Sequence, residues 1–244
     1  MSRTAAVVNF ILKSLIRMAV KVDDQELAAI PWQGPLIIVA NHINSLEVPL
    51  LYSHLYPRPL TGWAKVENWK NPLFAWLFDL YKAIPIRRGE SDLSALSAAV
   101  EALKNGMLIA VSPEGTRSYV GQLSRGKPGV VLLAHRSGAP ILPMAYYGGE
   151  LFWKKIFRFR RTLFRILVGH PFTIDTHGQA LARDVCQEII DEIMYQIAAL
   201  LPPAYRGIYS DLNQARETYL CFEPGVPSNL QRARETDLLK KEYI

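Results

Sequence analysis

Between Thr4 and Val22 the polar residues Asn9, Lys13, Arg17 and Lys21 recur every four positions, while Val7, Val8, Phe10, Ile11, Leu15, Ile16, Met18 and Val20 fill the remaining surface. That spacing keeps the polar side chains on one stripe of a helix, so it predicts an N-terminal basic amphipathic helix with a wide apolar face. Such a helix suits an anionic bilayer surface, with Lys13, Arg17 and Lys21 among headgroups and the apolar face among acyl chains. A helix packed on a protein core carries the same period. From Pro31 onward the pattern changes to short apolar runs alternating with amphipathic segments, which predicts an α/β domain: a mostly parallel central sheet covered by helices. Strands are expected at Leu36 to Ala40, Leu60 to Ala64, Ala83 to Ile86, Met107 to Val111 and Ile141 to Tyr146. Leu93, Leu96, Val100 and Leu103 mark a helical face that stops at Gly106, and Val130, Leu133 and Ala134 mark another that stops at Gly138. Val185, Ile189, Ile193, Ile197 and Leu200 mark a long late helix. Beyond Pro202 and Pro203 no core-forming period is visible, so three parts are expected: an N-terminal membrane-associating segment (1–30), one domain (31–205) and a partly ordered tail (206–244).

Composition narrows the setting. Half the 244 residues are hydrophobic and a fifth are charged, which excludes general disorder. The apolar stretch Ala5 to Leu12 is interrupted by Asn9, is followed by Lys13 and Arg17, and has no small-residue cleavage site, so it is expected to remain on the protein. No run approaches the roughly 20 uncharged apolar residues of a spanning helix, so the chain is expected to lie on a membrane. The 28 Lys and Arg against 22 Asp and Glu favour anionic partners. Cys186 and Cys221, the only cysteines, have neither metal-ligand nor disulfide-framework spacing, which suits a reducing cytoplasmic setting.

Two segments carry candidate chemistry, each in the loop after a predicted strand. The first runs from Asn41 to Glu47. With Ser45 as N-cap, Glu47 falls in the first helical turn and can point back at His42, orienting the imidazole as a general base. The second is Ser112-Pro113-Glu114-Gly115-Thr116-Arg117-Ser118, in which glycine permits close backbone approach and Arg117 offers a planar fork of donors for phosphate oxygens. Glu114 suits shaping the loop better than reacting. Lys65, Arg87 and Arg88 end two further strands; if the strands are parallel, all these groups gather at one carboxyl edge.

With these motifs the chain resembles the glycerolipid acyltransferase family that includes the bacterial and eukaryotic lysophosphatidate acyltransferases. Asn41 and His42 match the start of a His-x4-Asp motif; Lys65, Ile86 and Arg88 match a second block; Pro113 to Ser118 match Pro-Glu-Gly-Thr-Arg-Ser; and Gly138 to Pro143 match a fourth. Four blocks in order make a specific signal. The resemblance covers about Leu36 to Phe172 and makes 31–205 an acyltransferase domain. It implies transfer of a fatty acyl group from acyl-CoA or acyl carrier protein, as donor substrate, to the free hydroxyl of lysophosphatidic acid, in phospholipid biosynthesis at the cytoplasmic face of the cell membrane. It also implies that His42, with Glu47, deprotonates the hydroxyl without a covalent acyl-enzyme. Lys65, Arg88, Glu114, Gly115, Thr116 and Arg117 would form the site for the acceptor's phosphate. No metal or redox cofactor is implied. Glu47 stands where the family carries aspartate, so the carboxylate must fold back or the loop must shift. Arg87 stands where the family often has an acid. Glycerol 3-phosphate or a lyso-aminolipid as acceptor, or a lipid-binding protein impaired by the Glu47 change, are the alternatives.

Between Phe152 and Arg165 the cations Lys154, Lys155, Arg158, Arg160, Arg161 and Arg165 alternate with aromatics and no acid intervenes. Lys154, Lys155 and Arg158 are expected membrane contacts; a basic hairpin with its aromatics in the core is the plainer alternative, and single-stranded nucleic acid ranks below both. Gly121 to Lys127 has phosphate-loop spacing, but Pro128 stands where a magnesium-holding hydroxyl belongs and no apolar strand precedes it.

Overall fold

A computed structural model of the chain describes residues 3–87, 92–118, 120–158 and 160–242. Of the expected site residues, Arg88 lies outside them. Five parallel strands dominate the sheet: β2 (Leu36–Ala40), β3 (Leu60–Lys65), β4 (Ile84–Ile86), β5 (Leu108–Val111) and β6 (Ile141–Tyr147). With β1 (Val20–Asp23) and β7 (Thr162–Val168) the order is β1-β7-β6-β2-β5-β3-β4, and β7 runs antiparallel to β6. The short strands β8 (Phe172–Ile174) and β9 (Leu220–Phe222) extend it from β6.

Strand β2 is buried along its whole length, as expected where helices cover both faces of a parallel sheet. Its Ile37 and Val39 face one core with α4 (Leu93–Lys104), α5 (Gly129–Ser137) and α7 (Arg183–Leu200). Its Leu36, Ile38 and Ala40 face a second core, shared with α1 (Arg3–Ala19) and α2 (Glu47–Leu55). The expected helix ends hold where their chemistry is local. Gly138 closes α5 in the left-handed region, with its N–H returned to the Ala134 carbonyl.

Three expectations need correction. The N-terminal helix stops at Ala19, and Lys21 sits on strand β1, paired with β7. Ile16, Val20, Leu27 and Ile30 belong to the core, so the described part of the N-terminal segment packs into the domain. Within the stretch expected to be a partly ordered tail, Tyr209, Leu212, Tyr219 and Leu220 join the core with α7, β9 adds to the sheet, and α8 (Asn229–Glu242) follows. These core residues recur with no helical or strand period, so periodicity gave no sign of them.

Helix α1 also turns its pattern inside out. Asn9 is 3% exposed, whereas Phe10 and Met18 are 73% and 74% exposed. The buried amide is satisfied: Tyr81 Oη donates to Asn9 Oδ1 at 2.8 Å, and Asn9 Nδ2 donates to the Ala5 carbonyl. Tyr81 caps α3 (Pro72–Leu80), itself without a buried residue, where Leu73, Phe74 and Trp76 are exposed. The Arg161 guanidinium donates to the carbonyls of Arg17 and Val20 and so pins the end of α1 to the start of β7.

Candidate active site

Parallel pairing decides the geometry. Because β2, β5, β3 and β4 run the same way, the loops after them emerge side by side: Asn41 to Leu46 after β2, Ser112 to Pro128 after its neighbour β5, and Lys65 one strand further. Open α/β sheets form ligand clefts at this carboxyl edge.

The loop after β2 is built around Glu47. Ser45 does not cap α2; Leu46 occupies that position without a side-chain bond, and Glu47 is the first helical residue. Glu47 is 3% exposed, and its chain folds back under the preceding loop. Its Oε1 accepts the N–H groups of Ile43 and Asn44, both at 2.7 Å, and its Oε2 accepts from His42 Nδ1. The added methylene relative to aspartate is therefore absorbed by the fold-back, with the carboxylate in reach of the ring. A carboxylate at Nδ1 requires the proton on that nitrogen, so in the neutral tautomer Nε2 is the lone-pair acceptor. The side chain of His42 is 20% exposed, so the ring is open to an incoming hydroxyl.

Glu114 joins this loop to the next. It too is buried. Its Oε1 accepts the His42 backbone N–H at 3.1 Å, and its Oε2 accepts both the N–H and the hydroxyl of Ser124, at 2.9 and 2.8 Å. Burial pushes its carboxyl pKa up, against the opposing pull of these hydrogen bonds. Glu114 thus faces inward, where its carboxylate shapes the loop. The Ser118 N–H donates to the His42 carbonyl at 2.6 Å, placing Arg117 one residue from a direct contact with the histidine. Gly115 adopts φ +69°, in the left-handed region, and a Cβ there would lie 3.0 Å from Lys127 Nζ. Thr116 and Arg117 are exposed beyond this turn. Lys65 ends β3 at the same edge, with its ammonium 3.2 Å from Glu67.

Three residues of the site escaped sequence reasoning. Asn44 donates to the Gly149 carbonyl at 2.8 Å and accepts the Leu46 N–H at 2.7 Å, fastening the β2 loop to the turn after β6. Ser124 completes the Glu114 bridge, and Lys127 covers Gly115 while its N–H donates to the Pro113 carbonyl. Asn44 lies inside a motif and could have been weighed; no local signal marks Ser124. Among the described residues no group of three or more His, Cys, Asp or Glu side chains is placed to hold a metal ion.

The basic segment after β6 divides. Phe152, at the start of α6 (Phe152–Ile156), and Phe164 of β7 are buried, whereas Trp153 and Phe157 face outward with Lys154 and Arg158. Lys155 is half-buried.

Comparison with known proteins follows the same residues. The acyltransferase family model matches residues 20–147, which include both loops. A 1-acyl-sn-glycerol-3-phosphate acyltransferase of Pseudomonas aeruginosa is 33% identical over 126 residues, covering 50% of this chain and 48% of that one. A namesake from Bacillus subtilis is 26% identical over 156 residues, 64% of this chain and 75% of that one. The crystal structure of the 1-acyl-sn-glycerophosphate acyltransferase from Thermotoga maritima superposes with a TM-score of 0.52 at 25% identity, covering 78% of this chain and 80% of that one. The chain spans about half the length of the Pseudomonas relative. A match over more than half of the chain, across the strands that carry His42 and Arg117, makes this protein a member of the acyltransferase family.

Proposed function

We propose that this protein is a membrane-surface O-acyltransferase that moves a fatty acyl group from acyl-CoA or acyl carrier protein to the free hydroxyl of lysophosphatidic acid. The observation that carries the reading is the two-loop bridge: Glu47 fixes His42 Nδ1 from one side, and Glu114 ties the His42 backbone to the loop that presents Arg117. His42 Nε2 takes the hydroxyl proton as the acceptor oxygen attacks the thioester carbonyl carbon. The new C–O bond forms, the C–S bond breaks, and the departing thiolate takes up a proton. Arg117, with Lys65 and Arg88, holds the acceptor's phosphate, and Gly115 and Thr116 let it approach the backbone. The relatives' names, 1-acyl-sn-glycerol-3-phosphate acyltransferases, favour this acceptor over glycerol 3-phosphate or a lyso-aminolipid. A protein impaired by the glutamate is the less favoured reading, because Glu47 keeps both its backbone bonds and its contact with the ring.

Membrane attachment at the cytoplasmic face, peripheral or monotopic, belongs to the same proposal. Among the described residues no helix is long and apolar enough to cross a membrane. Helix α1 instead buries its amide and exposes Val7, Phe10, Ile11, Leu15 and Met18, an arrangement unfavourable in water and favourable in an acyl-chain layer. Its C-terminal end meets β7 at the edge from which His42 emerges, and Ile16 shares a core with Phe152 and Ile156 of α6, the helix that carries the exposed Trp153 and Lys154. Arg17, Lys21 and Lys155 complete the headgroup contacts, whereas Lys13, expected among them, is half-buried on the Asn9 side of the helix, near His54.

The test is thiol release and product formation by purified protein with palmitoyl-CoA and with an acyl carrier protein thioester, each against lysophosphatidate, glycerol 3-phosphate and a lyso-aminolipid on anionic vesicles. Turnover with lysophosphatidate that disappears in His42→Ala, with vesicle binding retained, is expected. Absence of turnover with every pair, or a His42→Ala rate near wild type, overturns the proposal.

A further inference from the structure

The stretch matched by the family ends at Tyr147, yet the far side of the Arg117 loop is held by residues well beyond it. After Ser118 the chain turns at Gly121, whose φ is +80°, and a Cβ there would lie 3.1 Å from the Tyr205 ring. The Leu123 N–H donates to the Tyr205 carbonyl at 3.0 Å, and the Ile208 N–H donates to the Leu123 carbonyl at 3.4 Å. Gln122 Nε2 donates to the Ala204 carbonyl at 3.3 Å. The loop is thus clamped from two sides, by His42 on one and by residues 204–208 on the other. Segment 204–208 is itself anchored: Arg206 Nε donates to the carbonyls of Ala198 and Leu201 at the end of α7.

Tyr205 does more than touch the loop. Its hydroxyl donates to Glu150 Oε1 at 2.8 Å, and its ring lies 5.5 Å from that of Tyr147. Glu150 follows Gly149, whose carbonyl accepts from Asn44 in the His42 loop. One chain of contacts therefore runs from the Arg117 loop through Tyr205, Glu150 and Gly149 to the loop that holds the imidazole. Among the described residues the second oxygen of Glu150 is buried without a hydrogen-bond partner, and Tyr205 supplies the hydrogen bond of the first.

We infer that Tyr205, fixed by Glu150, is a positioning residue that sets the separation between the Arg117 phosphate clamp and the His42 base. It does not meet the reacting atoms. The inference rests on the acceptor assignment above, in which Arg117 holds the acceptor's phosphate, and it concerns acceptor binding.

The experiment measures acceptor KM, donor KM and kcat for wild type, Tyr205→Ala, Tyr205→Phe and Glu150→Ala, together with amide hydrogen exchange across residues 116–124. Because ångström-scale misplacement of a binding group costs one to two orders of magnitude, Tyr205→Ala should raise acceptor KM about tenfold or more, with donor KM within about twofold of wild type. Exchange in 116–124 should speed up in the same variant. Tyr205→Phe, which keeps the ring against Gly121, should recover most of the acceptor affinity; Glu150→Ala should fall between Phe and Ala. If Tyr205→Ala does not fold, the Phe and Glu150 variants carry the test, and wild-type acceptor KM in both overturns the inference. Equal loss for both substrates, or faster exchange without a change in acceptor KM, overturns it as well. If wild type has no turnover, the functional reading fails; unchanged exchange in Tyr205→Ala then overturns the positioning role by itself.

Discussion

Replacing Glu47 by glutamine tests the proposed base most directly, because it removes a charge and little else. The carboxylate serves three donors with two oxygens: Oε1 takes the N–H groups of Ile43 and Asn44, and Oε2 takes His42 Nδ1. Glutamine has one acceptor oxygen. Two backbone donors outcompete one ring nitrogen for it, so the amide NH2 is left facing Nδ1. A donor at Nδ1 forces that nitrogen to accept, and the ring proton moves to Nε2, where a general base needs a lone pair. When the carboxylate partner of a catalytic histidine becomes an amide in a serine protease, the wrong tautomer costs about 10^4-fold in kcat. A loss of that order, about 5 kcal/mol of transition-state stabilisation, is expected here at unchanged acceptor KM. Because the backbone bonds survive, the melting temperature should fall by only a few degrees. Initial-rate kinetics with palmitoyl-CoA and lysophosphatidate, beside His42→Ala and a thermal melt, separate these effects. A kcat within about threefold of wild type would refute the argument that Glu47 fixes the tautomer.

Three further outcomes are expected. Glu47→Asp should lose activity, since a shorter chain at the same first helical position cannot meet Ile43, Asn44 and His42 together; a rate above wild type would show the glutamate to be a defect. Gly149→Ala should destabilise the protein, because the new methyl collides with the buried Phe164 ring and comes 2.8 Å from Asn44 Nδ2. Overpacking of this kind costs about 1–3 kcal/mol, a drop of roughly 3 to 10 °C in melting temperature for a chain of this size, and an unchanged melt would contradict it. Phe10→Asp combined with Met18→Asp should weaken binding to anionic vesicles by at least about tenfold, given about 1.5–3 kcal/mol for each buried apolar side chain; equal binding would remove α1 from the membrane face.

How much of this was legible in the sequence depends on the range of the forces involved. Strand β2 and the C-cap at Gly138 follow from neighbouring residues alone and fall where expected. The adjacency of the His42 loop and the loop that carries Arg117 needed only parallel strands. The inward face of α1 was not legible: the Asn9 period says that the helix has two sides, but which side meets the protein is decided by Tyr81, far along the chain. Glu114 was legible as a shaping residue through its motif, but not its partner Ser124. The role of Glu47 needed the fold-back of one side chain, which spacing does not encode.

The arrangement of strands around β6 bears on any attempt to recombine this protein with its relatives. β6 pairs with β2, β7 and β8, so cutting at Tyr147, where the family match ends, strips its outer partners and leaves a row of bare amides and carbonyls. Such an edge is a template for self-association. A graft meant to stay soluble should carry β7 and the returning strands along with the family-matched stretch, so the exchangeable unit is longer than that stretch.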